Sequence, residues 1–155
     1  PETTNIVNKA VKFREAFRPF APAILEEATE DYFELPTGTR VPFMEKVFPV
    51  NVEKRKEIPA VVFIDGSGRL QTVSKDANPR FHRLISAFKD ITGVPVVLNT
   101  SFNLNGEPIV CNPEDAFKCF MGTNLDMLIC NNFILNKDEQ DSNLKEDYKN
   151  KYELD

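Results

Sequence analysis

The sequence holds no tryptophan, one histidine, six glycines and three cysteines in 155 residues. A single His and no Cys-x-x-Cys pair leave no zinc ligand set. Cys111, Cys119 and Cys130 are odd in number, which fits a reducing cytoplasm better than a disulfide framework. No apolar run approaches the roughly 20 residues that span a bilayer. The first residues lack the charged-then-apolar pattern of a signal peptide. A cytoplasmic protein with no membrane partner is therefore expected. A basic surplus is missing as well. Net charge is −5, and the segment 137–155 carries 4 Lys against 7 Asp or Glu, leaving the rest near −2. That balance disfavours nucleic acid as the main partner. The pattern Gly-x4-Gly-Lys-Ser/Thr does not occur, so a P-loop is excluded.

What is present suits one folded domain. Hydrophobic residues make up 41% of the chain, with 13 Phe, enough for a real core at this length. Residues 1–8 read as a linker or chain end, 9–137 as the domain, and 138–155 as a charged tail expected to be mobile.

The stretch from Val94 to Pro108 is the most informative. Val94 to Leu98 is a β-branched run that reads as a buried strand. Asn99, Thr100, Ser101, Asn103 and Asn105 follow, all short, polar and uncharged. Each alone could simply bond its own backbone in a turn. Five crowded behind one strand favour a site, because ligands of α/β proteins gather at strand carboxyl ends. Hydroxyls and amides there suit phosphate oxygens or a small amide-like substrate.

Four basic residues fall between Lys9 and Arg18. If that segment is extended, Lys12 and Arg14 project from one face. It then reads either as a charged strand edge or as an anion-binding strand, and the packing implied by Phe13, Phe17 and Phe20 favours the second. Ile24 to Leu35 reads as an amphipathic helix. A strand is expected within Pro42 to Val52, with Phe43, Met44 and Phe48 packing. Ile58 to Ile64 reads as a second buried strand, and Asp65-Gly66-Ser67-Gly68 as a hairpin turn. Arg69, Gln71 and Val73 share one face of the return strand, where Arg69 and Gln71 either line a cleft or face water.

Asn78-Pro79 opens a helix as N-cap and first residue. Its apolar stripe is Phe81, Leu84, Ile85, Phe88 and Ile91, and Gly93 ends it. His82 sits at the edge of that stripe. Ile109 to Cys111 suggests a short strand, and Asn112-Pro113 opens another helix with core residues Ala116, Phe117, Phe120 and Met121. Asn131-Asn132 reads as the turn of a hairpin joining Met127–Cys130 to Phe133–Leu135.

Five blocks occur in a familiar order. They are Lys12-Phe13-Arg14-Glu15-Ala16-Phe17-Arg18-Pro19-Phe20-Ala21-Pro22, Ile58-Pro59-Ala60-Val61 through Asp65-Gly66, Arg69-Leu70-Gln71-Thr72-Val73, Leu98-Asn99-Thr100-Ser101-Phe102-Asn103, and Gly106 through Ala116. In these blocks the chain resembles the C-terminal domain of the NodU/TobZ carbamoyltransferases, over about Asn8 to Lys137.

The resemblance implies an α/β fold, YrdC-like, with a twisted mixed β-sheet and packed helices in a single domain. It implies that ATP and carbamoyl phosphate are joined as carbamoyl-adenylate, with Mg²⁺ assisting. A separate N-terminal actin-like domain of the same or a partner chain, carrying iron, would pass the carbamoyl group to a hydroxyl. Catalytic roles fall on Lys12, Arg14, Ser101 and Asn103, and substrate-binding roles on Arg18, Arg69, Asn99 and Thr100. The chemistry suits these types: Arg offers a fork to phosphate, Lys a point charge, and Ser and Asn bond without adding charge.

Phe63 departs from the family's His, and Asn105 from its frequent Arg. Which of Arg14 and Arg18 fills the arginine role is open. Two other functions compete: a non-catalytic nucleotide- or RNA-binding module of the same fold, and a docking domain for a transferase partner.

Overall fold

The computed structural model describes residues 2–12, 20–104 and 107–145. In chain order the elements are α1 (Glu2–Val7), a π-helical turn (Asn8–Lys12), β1 (Ala21–Leu25), α2 (Thr29–Tyr32), β2 (Lys46–Pro49), β3 (Ser67–Val73), α3 (Pro79–Thr92), β4 (Val96–Asn99), α4 (Pro113–Gly122), β5 (Met127–Cys130) and β6 (Phe133–Asn136). The expected α/β class and mixed sheet are both present. Contacts gather the chain into two compact units, Pro19–Thr100 and, separately, Glu2–Arg18 with Ser101–Asp155. Among the described residues no helix is long and apolar enough to cross a membrane.

In the first unit the strands lie in the order β2-β3-β1-β4. β1 runs parallel to β3 and antiparallel to β4, and β2 is antiparallel to β3. Pro22 sits in a central strand, where a missing N–H normally costs a ladder bond. It is tolerated because pairing with β3 begins only at Ala23. Ile24, Leu70 and Ile85 are fully buried, and burying each such side chain stabilises the fold by about 1.5–3 kcal/mol.

Several expectations are corrected here. Ile24 to Leu35 is not one helix. Ile24 and Leu25 complete β1, a 3-10 turn spans Glu26–Ala28, and only Thr29–Tyr32 is α-helical. Leu25 is buried in β1, whereas Ala28 and Tyr32 are buried in the turn and the short helix, and Phe33 bridges to Val50. Ile58 to Ile64 is not a strand either, since Pro59–Val61 is a 3-10 turn. Proline at its start supplies no ladder donor, and the place beside β3 is taken by β2.

The Asp65-Gly66 turn is nonetheless real. Gly66 has φ +84°, and a Cβ there would lie 2.5 Å from the Arg55 guanidinium. Phe63 and Gly68 bracket it, with Phe63 N donating to Ser67 O at 2.7 Å. Phe43, expected to pack, is 74% exposed. The α3 stripe also divides: Ile85 is buried, whereas Leu84, Phe88 and Ile91 face outward. A helix crossing a sheet at β1 and β4 touches it along one narrow line.

In the second unit α4 carries the core. Ala116, Phe120, Met121 and Leu128 are buried together, with Phe117 and Leu135 packed against them. The β5–β6 hairpin forms as expected, and Asn131 takes φ 54° in its turn. Lys137 Nζ caps α4 by donating to Phe120 O and, at 3.0 Å, to Thr123 O. No strand forms at Ile109–Cys111; instead Val110 N donates to Phe102 O at 2.9 Å. Glu2–Val7, read as part of a linker, is helical. The expected tail is described as far as Lys145, and the rest of that expectation lies outside the described residues.

Candidate functional site

Lys12 closes the π-helical turn and is 4% exposed. It is therefore helical rather than part of an extended strand, which corrects the expectation as far as Lys12; residues 13–19 lie outside the described residues. Its ammonium reaches the loop after β4. Nζ donates to Ser101 O at 2.6 Å, to Asn103 O at 2.8 Å and to Asn103 Oδ1 at 2.8 Å. A fourth, longer contact to Ser101 Oγ measures 3.2 Å. Such burial of a lysine requires this degree of oxygen coordination. These four acceptors are neutral and orient the ammonium.

The loop is built to present those oxygens. Ser101 Oγ donates to Asn103 Oδ1 at 2.6 Å, and Asn103 Nδ2 donates to Glu107 O at 2.7 Å. The second bond fixes the amide, because only its NH₂ end can serve a carbonyl. Oδ1 must then face Lys12 and Ser101. Glu107 N donates to Leu104 O at 3.2 Å and closes the turn. Leu104 and Cys119 form a buried floor, with Phe102 and Val110 packed against it. Burial, then the Glu107 carboxylate, push the Cys119 thiol up to about 11, against the opposing charges of Lys12 and Lys137.

Of the expected catalytic residues, Lys12, Ser101 and Asn103 thus converge. Arg14 lies outside the described residues, as do Arg18 and the Asn105 departure. Arg69, Asn99 and Thr100 belong to the unit Pro19–Thr100. There, Asn99 Nδ2 donates to Gln71 Oε1, and Gln71 Nε2 donates to Pro42 O at 2.9 Å. Arg69 Nε is buried without a hydrogen-bond partner among the described residues. Gln71 was not among the expected site residues, and only its shared strand face with Arg69 hinted at it. It also lines a cavity of about 440 Å³ with Arg40, Phe43, Asn78 and Phe81.

His82 Nε2 lies 3.0 Å from Glu27 Oε1. Burial raises the Glu27 carboxyl, but its own backbone N–H, His82 and Lys89 outweigh this and leave it below its ordinary value. Among the described residues no group of three or more His, Cys, Asp or Glu could hold a metal ion.

The chain matches known proteins over most of its length. A model of the carbamoyltransferase C-terminus matches residues 1–137. The chain is 47% identical to nodulation protein NolO of Bradyrhizobium diazoefficiens, over 88% of this chain and 25% of that protein. It is 47% identical to nodulation protein NolNO of Sinorhizobium fredii, over 84% of this chain and 19% of that protein. Identity to nodulation protein U of Rhizobium tropici is 38%, over 89% of this chain and 23% of that protein. The chain thus spans about a quarter or less of the length of these relatives. With its family model matched across residues 1–137, the chain belongs to the carbamoyltransferase C-terminus family.

Proposed function

We propose that this chain is the adenylate-forming part of an O-carbamoyltransferase, using ATP and carbamoyl phosphate. The observation that carries the reading is the Lys12 ammonium held by Ser101 and Asn103. A fixed cation beside a hydroxyl and an amide suits a phosphoryl group and a carbamoyl group in one place.

Release of both phosphate and pyrophosphate requires one water. Water takes the phosphate from carbamoyl phosphate, and a carbamate oxygen then attacks the α-phosphorus of ATP, displacing pyrophosphate. Lys12 opposes the charge on the phosphate oxygens, while Ser101 and Asn103 hold the acyl group in line. Catalysis of this kind is mainly positioning and electrostatics. Arg14 and Arg18, of the same unit as Lys12, complete the reading as further phosphate contacts. Magnesium would arrive on the nucleotide's phosphates, since the described residues offer it no cage. The carbamoyl group then passes to a hydroxyl in the actin-like, iron-carrying domain of the same or a partner chain.

The experiment is pyrophosphate release by the chain with ATP alone and with ATP plus carbamoyl phosphate. Release only with both substrates, lost in Lys12→Met, is the expected result. ATP binding without any pyrophosphate would favour a nucleotide-binding module instead.

A further inference from the structure

Asn8 opens the same helical turn that Lys12 closes. Residues four apart on such a turn lie on one face. Asn8 is only 5% exposed, so its amide is withdrawn from water. Neither its Nδ2 nor its Oδ1 has a hydrogen-bond partner among the described residues. Native proteins seldom leave both ends of a buried amide unsatisfied, and each such group calls for a reason. An isosteric apolar side chain at this position would avoid the penalty altogether.

We propose that Asn8 is a specificity residue that pairs with the carbamoyl end of carbamoyl phosphate. The inference rests on reading Lys12, Ser101 and Asn103 as the site for that substrate. A carbamoyl group carries an N–H donor and a C=O acceptor side by side. A primary amide is its two-point complement, with Oδ1 accepting and Nδ2 donating. Inorganic phosphate, acetyl phosphate and ATP lack that donor–acceptor edge beside the phosphate. Lys12 would hold the phosphate end while Asn8, one turn away, reads the other end. Because the amide is withdrawn from water in the free protein, binding must first open a path to it. The unsatisfied amide lowers the cost of that opening, since the closed state already bears its penalty.

The test is calorimetric binding of carbamoyl phosphate and of inorganic phosphate to the chain and to Asn8→Leu, with thermal midpoints for both proteins. The wild-type chain should prefer carbamoyl phosphate. In Asn8→Leu that preference should fall by roughly tenfold to a hundredfold, with a midpoint equal to or above that of wild type. An unchanged preference in Asn8→Leu overturns the role of Asn8 and leaves the site reading standing. A lowered midpoint, or failure to fold, overturns it too, because it would mean the amide has a structural task. If wild type binds neither ligand, the site reading itself falls, and this inference with it.

Discussion

Asn99 and Gln71 join their side-chain amides across an intervening strand. Asn99 pairs with Ala21 and Gln71 with Ala23, so β1 runs between them. Both alanines are fully buried and small, which lets the amides meet above them. The Pro42 carbonyl takes the Gln71 NH₂, so Gln71 offers oxygen to Asn99. Asn99 must answer with its own NH₂, leaving Oδ1 as the end it can show to a ligand donor.

Gln71→Glu should therefore damage this relay from the far side. A carboxylate can still accept from Asn99 but cannot donate to Pro42 O. The expected cost is about 0.5–1.5 kcal/mol, the net worth of a hydrogen bond whose carbonyl can turn to water instead. Urea denaturation of the two proteins measures it. Equal midpoints would show that the Pro42 contact has no part in fixing the amide.

The pair Tyr32 and Glu57 gives the first unit a pH response with two limbs. Tyr32 Oη donates to Glu57 Oε2 at 2.6 Å, and Lys54 Nζ lies 2.8 Å from Glu57 Oε1. Hydrogen bonds from Lys54, then Tyr32, hold the Glu57 carboxyl below its ordinary value. Its contribution is complete above the unfolded carboxylate pKa and is lost as pH falls through the lowered folded value. Burial, then Glu57, raise the Tyr32 hydroxyl. That contribution is complete below the unfolded tyrosine pKa of about 10 and is lost as pH rises towards the folded value. Thermal midpoints across pH should fall at both ends. Glu57→Gln should flatten the acid limb and Tyr32→Phe the alkaline one.

The thiols should separate by reactivity. Cys111 is exposed and Cys119 is buried. With its pKa pushed up to about 11, Cys119 is almost wholly protonated near pH 8, and the thiolate is the reacting species. A disulfide reagent should modify Cys111 quickly and Cys119 only on unfolding. Rapid labelling of Cys119, read by peptide mass mapping, would sink the buried floor described for the site.

How much of this was legible beforehand depends on the range of the interactions. Local signals carried through. Asn78 Oδ1 accepts from Phe81 N at 3.2 Å, and Asn112 Oδ1 from Asp115 N at 2.8 Å, so both caps are where the Asn-Pro pairs placed them. Gly93 ends α3 with φ +79°. Elements decided by distant partners were not legible. Ile24 and Leu25 look helical by spacing, but they are held by strands far away in the sequence. Lys12 stands 89 residues from Ser101, and no periodicity links them. Their grouping came from ordered blocks resembling a family. Asn8 carried no signal at all, because an unpaired amide is visible only once burial is known.

Asn103 offers the most discriminating pair of substitutions. Its Oδ1 accepts from Lys12 and Ser101, and its Nδ2 braces Glu107 O. Asn103→Ala removes all three bonds from a polar loop while leaving the Leu104–Cys119 floor in place. Far-UV spectra should match wild type, and pyrophosphate release should be lost. Asn103→Asp changes only the charge and one donor. The new carboxylate lies within reach of a buried ammonium, where an opposite charge interacts more strongly than at the surface. It should tie Lys12 down and repel the phosphate that Lys12 is meant to receive, while Glu107 O loses its donor. Release should therefore vanish in both variants for opposite reasons, one from a loosened cation and one from a neutralised one. Calorimetry with carbamoyl phosphate, run beside thermal midpoints, separates the two. Normal turnover in Asn103→Asp would mean that the phosphate does not approach Lys12, and the site would have to be sought elsewhere.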